Sequence, residues 1–215
     1  MKHLADTEPA AAKRPPDSER RARIFAAAER AFVSHGFRAA TMNDIAEEAG
    51  MSAGNLYRYF TSKEALVEDL CRCDRDEHAG EFEQLACGGD LCGALAKMIA
   101  EHLLGKPREK ARIALEMWAE ASRNGRVGEV VRAFDASTLV ILRELVTAAQ
   151  AKGSAPKTLD ADFAARVIFT LVSGLMKRVA QEPDLDRAAE AALATGILRA
   201  LFAGAIAPAA APAAL

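Results

Sequence analysis

Aromatic residues are scarce in this chain: one tryptophan, two tyrosines and nine phenylalanines, 6% of 215 positions. Since 51% of the residues are hydrophobic, the core has to be built mainly from alanine, leucine, valine and isoleucine. Sustained alternation of apolar and polar residues is also missing, which argues against a strand-rich fold. Charge of one sign is missing too. The net charge is −2, with 10 lysines and arginines against 9 carboxylates over residues 1–65 and 18 against 21 thereafter. Such a balance excludes a generally basic nucleic-acid coat protein. No uninterrupted apolar run is long enough to span a bilayer, because Pro208 and Pro212 break the charge-free run that starts at Ala200. The N-terminus has no apolar signal core, which predicts a cytoplasmic protein. Finally, there is no nucleophile elbow, phosphate loop, H-E-x-x-H or paired-carboxylate motif. We therefore assign no catalytic residue, no metal and no cofactor, and read the chain as a non-enzyme.

What is present is helix. The expected fold is all-α, with about nine helices in two domains. A proline- and alanine-rich arm (1–17) and a low-complexity tail (205–215) are predicted to be disordered. Between them lie a helix-turn-helix domain (18–66) and a larger helical domain (67–204). The first helix runs from about Ser18 to His35, with Ile24, Ala28, Ala31 and Phe32 on one face, and stops at Gly36. Thr41-x-x-Asp44 has capping-box spacing and opens a short second helix. Ser52 is placed to cap a third helix, and Thr61-x-x-Glu64 to open a fourth that continues towards residue 87. Five further helices are predicted at about 90–104, 107–124, 127–151, 160–181 and 186–203, separated by glycine and proline breaks.

The segment AGMSAGNLYRYF (49–60) is the informative one. Gly54 inside a helix costs about 1 kcal/mol relative to alanine. On a helical wheel Leu56 and Phe60 share a core-facing edge while Gly54 and Arg58 point away. A narrow apolar edge with a polar, planar, glycine-bearing remainder suits a helix that enters a DNA groove. A missing Cβ lets the backbone approach closely, and the N–H groups of the first turn can receive a phosphate. Asn55 and Arg58 carry donors suited to phosphates or base edges.

Residues 41–66, TMNDIAEEAGMSAGNLYRYFTSKEAL, resemble the helix-turn-helix signature of the TetR family of bacterial transcriptional regulators. The resemblance implies an all-α homodimer with a divergent C-terminal ligand-binding domain. It also implies a palindromic double-stranded DNA operator, released when a small-molecule effector binds. By position, Thr41, Tyr57, Tyr59 and Lys63 would hold phosphates, and Asn43, Ala53, Gly54, Asn55 and Arg58 would lie near base edges or adjoining backbone. Ala53 stands where the family often has a longer polar or basic residue. It can offer only an apolar contact, which shifts readout towards Asn43, Arg58 and DNA shape.

In the C-terminal part, Met98, Leu115, Trp118 and Phe134, with Thr138 as a polar group, are the candidate effector pocket. The last two helices mix large apolar residues with alanine, serine and glycine. Phe169, Gly174, Gly196 and Leu201 are the candidate dimer interface. The competing reading is a helix-turn-helix regulator that senses a metal or an oxidant through Cys71, Cys73, Cys87 or Cys92. These cysteines form no C-x₂-C pair, and His78 and His102 have no ligand-like spacing.

Overall fold

The computed structural model describes residues 17–73, 90–105 and 107–207, and among these residues helix is the only regular secondary structure. Helix α1, Asp17–His35, has Asp17 and Glu19 in its first turn, where carboxylates complement the helix dipole. It buries Ile24, Ala27, Ala28, Ala31 and Phe32, a stripe with helical spacing. The chain leaves it through Gly36 at φ +78°, whose N–H donates to the Phe32 carbonyl at 2.8 Å. Helix α2, Met42–Glu48, starts with the expected capping box. The Asp44 N–H donates to Thr41 Oγ1 at 3.2 Å, and the Thr41 N–H donates to Asp44 Oδ2 at 2.8 Å. A second left-handed glycine, Gly50 at φ +63°, turns the chain towards α3, Ala53–Leu56. Ser52 caps α3 through the Asn55 N–H, as the sequence predicts.

Two local expectations need correction. Helix α3 is a single α-turn, and residues 57–59 continue as a hydrogen-bonded turn instead of carrying the helix to Phe60. Helix α4, residues 63–73, is capped by Ser62 and not by Thr61. The Ala65 N–H donates to Ser62 Oγ at 3.2 Å, while Thr61 is exposed. The expected extension of α4 towards residue 87 lies outside the described residues, as do Cys87, His78 and nearly all of the terminal arm and tail.

Helix α5, Leu91–Met98, passes into a π-helical segment, Ile99–Leu104, where an uninterrupted α-helix was expected. Ile99 and Leu104 are five residues apart and both are buried. Ordinary α winding would set them about 140° apart, whereas i→i+5 winding brings them towards one side. Helices α6 (Arg108–Ala121), α7 (Gly125–Ala151), α8 (Ala161–Gln181) and α9 (Arg187–Phe202) complete the chain. Asn124, Asp160 and Asp186 cap the last three through side-chain acceptors. No helix among the described residues is long and apolar enough to cross a membrane.

Two apolar cores result. The C-terminal core joins α5 to α9 around Leu95, Ile99, Leu142, Val146, Ile168 and Leu198. The N-terminal core holds Ile24, Phe32, Phe37, Ile45, Leu56, Phe60 and Leu66, and it also contains Ile113 from α6. Burying one such side chain stabilises by about 1.5–3 kcal/mol, so α6 is fastened to the helix-turn-helix by its own packing. The charged seam between α1 and α4 is held by Asp69, which is 8% exposed and ion-paired with both Arg21 and Arg72.

The capping box has a pH signature. Hydrogen bonds from the Thr41 side chain and backbone hold the Asp44 carboxyl below its ordinary range. Its contribution to stability is therefore complete above the unfolded-state pKa and lost as pH falls through the lower folded-state value. Denaturant titrations between pH 6 and pH 2 should show a smaller acid-side loss for Asp44→Asn than for wild type. Parallel profiles would show that the box does not contribute.

Candidate nucleic-acid interface

The second and third helices each leave polar residues exposed. Leu56 and Phe60 are 0% and 3% exposed and anchor α3 to the N-terminal core. Opposite them, Gly54 and Arg58 are exposed, and Tyr57 is 50% exposed. Nothing lies within 4 Å of where a Cβ on Gly54 would stand, so no contact inside the protein requires glycine there. Asn43 on α2 is exposed on the neighbouring element, and Ala53 and Asn55 are half-buried at the start of α3. Asn55, Tyr57 and Arg58 therefore carry polar groups on a short, well-anchored turn.

Three of the expected phosphate ligands have additional duties. The Thr41 hydroxyl donates to Asp44 Oδ2 at 2.7 Å while capping α2. Tyr59 is half-buried, and its oxygen accepts from Arg20 Nη1 at 3.0 Å. This contact brings a cation from α1 to the rim of the site. Sequence reasoning missed Arg20 because the pair is 39 residues apart. Lys63 is the largest departure. Its ammonium donates to the carbonyls of Phe37 at 2.8 Å, Arg38 at 3.1 Å and Ala40 at 3.0 Å, and lies 5.0 Å from the centre of the Phe37 ring. All three of its N–H donors are engaged, so in this arrangement Lys63 braces the α1–α2 loop and has no donor left for a phosphate. Burial, chiefly, pushes its pKa down.

The other candidate sites are dispersed. Two grooves stand out in the C-terminal part. The larger runs between α8 and α9 and includes Phe163, Val167, Leu171, Gly174, Leu193 and Ile197. The smaller lies at the start of α5 beside α9 and includes Cys92 and Arg199. Met98, Leu115, Trp118, Phe134 and Thr138 line neither groove. Met98 and Leu115 pack against the C-terminal core, while Trp118 and Phe134 are half-buried outside both cores. The Thr138 hydroxyl donates to the Phe134 carbonyl at 3.0 Å.

Of the expected dimer residues, Gly174 and Gly196 are exposed with open space beside them, and Phe169 is half-buried. Leu201 must be removed from that set. It is 0% exposed and lies inside its own subunit's core, because the α9 face carrying Leu198 and Leu201 turns inward. The described cysteines Cys71, Cys73 and Cys92 form no disulfide with one another, and no group of three His, Cys, Asp or Glu side chains among the described residues could hold a metal ion. Nothing here supports the thiol-sensing alternative.

A helix-turn-helix whose outer face is polar, mounted on a separate helical core, defines a DNA-binding regulator. Comparison with known proteins gives the family. Residues 24–70 match the model for bacterial regulatory proteins of the tetR family, and residues 94–203 match that for the BetI-type transcriptional repressor C-terminal domain. The chain is 30% identical over 181 residues to the HTH-type transcriptional regulator TtgR of Pseudomonas putida, covering 77% of this chain and 82% of that protein. It is 27% identical over 184 residues to UidR of Escherichia coli K12, covering 86% and 91%. Among solved structures, Salmonella enterica GusR superposes with a TM-score of 0.72 at 26% identity, covering 86% of this chain and 96% of that one. The FadR regulator of Bacillus subtilis, solved with stearoyl-CoA, shares the fold with a TM-score of 0.69 at 23% identity, covering 85% and 98%. The chain belongs to the TetR family and is a helix-turn-helix transcriptional regulator.

The Lys63 geometry sets a stability expectation. Lys63→Ala frees three loop carbonyls and should destabilise the protein by about 1.5–3 kcal/mol in urea unfolding, the range for hydrogen bonds to a charged group. Unchanged unfolding would remove Lys63 from the loop brace.

Proposed function

We propose that the protein is a homodimeric repressor that grips a palindromic operator through α3 of each subunit and is released by a small-molecule effector, acting in the cytoplasm where the DNA is. The observation that carries this reading is the outer face of α3. Gly54 there is exposed with open space beside it and is flanked by Asn55, Tyr57 and Arg58. A glycine that nothing inside the fold requires is accounted for by an outside surface that needs the room. Asn43, Ala53, Asn55 and Arg58 are assigned to base edges and adjoining backbone, and Thr41, Tyr57 and Tyr59 to phosphates, with Arg20 as a further cation.

Gly54→Val is the direct test. Its circular dichroism, unfolding midpoint and mass in solution should match wild type, while binding to a duplex selected from random DNA by the wild-type protein should be lost. Native folding with undiminished binding would rule out close approach at Gly54. Arg58→Ala should weaken the selected duplex more than an unrelated one, by about 1–3 kcal/mol if Arg58 reads a base edge.

The second copy is assigned to the α8–α9 groove. Leu193 is 51% exposed there, beside Val167, Leu171 and Ile197, an apolar strip that a second subunit would cover. Gly174→Arg and Leu193→Glu should each yield monomers by light scattering and lose operator binding. A lone subunit cannot engage two half-sites about 34–36 Å apart. If both variants remain dimeric, the interface lies elsewhere.

The effector is assigned to the region of Met98, Leu115, Trp118, Phe134 and Thr138. Support comes from Trp118 and Phe134, half-buried rings that neither core absorbs. For release, the effector has to favour the DNA-incompetent arrangement, since equal affinity for both states shifts nothing. A ligand screen read by fluorescence from Trp118, the sole tryptophan, tests this. A hit that lowers operator affinity of wild type and of Trp118→Ala equally would exclude Trp118 from the site.

A further inference from the structure

The loop between α1 and α2, residues 36–41, is gripped from two sides. From the DNA-binding side, Lys63 takes the carbonyls of Phe37, Arg38 and Ala40. From the C-terminal domain, the Phe37 N–H donates to the Glu116 carboxylate. The same carboxylate lies 3.3 Å from where a Cβ on Gly36 would stand, so a side chain there would push it back by a few tenths of an ångström. Glu116 belongs to α6, which carries Ile113 into the N-terminal core and pairs Lys110 with Glu29 of α1 at 3.2 Å. On other positions the same helix packs Ala111 and Leu115 into or against the C-terminal core. Glu120, one turn beyond Glu116, is held below the ordinary carboxylate range chiefly by Arg123, with the charges of Arg38 and Lys63 adding to the effect.

We propose that Glu116 is a positioning residue for DNA binding, the point at which the C-terminal domain sets the α1–α2 loop and through it the attitude of α2 and α3. The proposal rests on the repressor reading above and adds its route of control. The loop ends at Thr41, whose cap starts α2, and α2 packs against α3 in a shared core. A displacement of α6 therefore reaches the DNA-facing side through one backbone hydrogen bond and the packing beside it. Glu116 touches no DNA in this scheme. Its effect is geometric, and it should discriminate between specific and non-specific complexes.

Full-length Glu116→Met and Glu116→Gln provide the test. Methionine keeps the length and loses the acceptor, glutamine keeps both, and each removes the same charge. Hydrogen exchange of the Phe37 amide and affinity for two duplexes are measured: one selected from random DNA by wild type, one unrelated. For Glu116→Met, Phe37 exchange should accelerate tenfold or more. The selected duplex should bind about tenfold more weakly and the unrelated one within twofold of wild type. Glu116→Gln should stay within threefold on every measure. Should methionine disturb the fold, Glu116→Ala carries the same expectation. Binding of the selected duplex by the methionine or alanine variant within twofold of wild type overturns the proposal, and so does an equal loss in the glutamine variant. Equal tightening on both duplexes also overturns it, because that result reports only the removed charge. Failure of wild type to select any duplex would bring down the repressor reading instead, and the exchange data would then show separately whether Glu116 holds the loop.

Discussion

The backbone of residues 36–40 has to satisfy its polar groups without belonging to a helix, and much of the molecule is arranged around that requirement. Buried or half-buried N–H and C=O groups without partners are costly. Backbone bonds satisfy the Gly36 and Ala40 N–H groups and the Gly36 carbonyl, and side chains from distant positions take others: the Lys63 ammonium for three carbonyls and the Glu116 carboxylate for the Phe37 N–H. The left-handed Gly36 makes the turn and leaves room for Glu116. Phe37 itself fills the core against Phe32, with ring centroids 5.0 Å apart, and lies under Lys63. One short loop thus joins α1, α4 and α6, and its geometry sets where α2 starts.

That arrangement explains how α3 can be so short. A four-residue helix has no independent stability. It persists because Leu56 and Phe60 are buried in a core already formed by α1, α2, α4 and Ile113. With its position supplied by its neighbours, the outer face is free to carry residues that are poor for helix formation and suited to a groove: Gly54, Asn55, Tyr57 and Arg58. The conformational cost of Gly54, about 1 kcal/mol, is small beside the burial of its two apolar neighbours.

The C-terminal domain follows a different logic. Helices α7, α8 and α9 are long and capped by side chains, and α8 and α9 leave an apolar strip around Leu193 uncovered within the single chain. The ends of the same helices are tied by Arg178, which pairs with Glu182 and Glu190 and whose own pKa is raised chiefly by the hydrogen bonds to Glu182. A polar tie at one end of the helix pair thus stands beside the apolar strip.

The sequence by itself determined the helical fold, most helix starts and the polarity of α3. These are local properties: capping residues at Thr41, Ser52, Asp160 and Asp186 act within three residues, and the stripes of α1 and α3 follow from a period of 3.6. The family signature supplied a list of expected DNA-facing positions for the same reason, since they lie on contiguous segments. Only the tertiary structure decided the rest. It turned Lys63 onto three carbonyls, brought Arg20 to Tyr59, buried Leu201 in its own subunit and carried Ile113 and Glu116 into the helix-turn-helix domain. Each of these outcomes joins residues some twenty to eighty positions apart or depends on which face of a helix its neighbours cover. Side-chain type states what a residue can bond to; the partner it meets is set by how the helices pack.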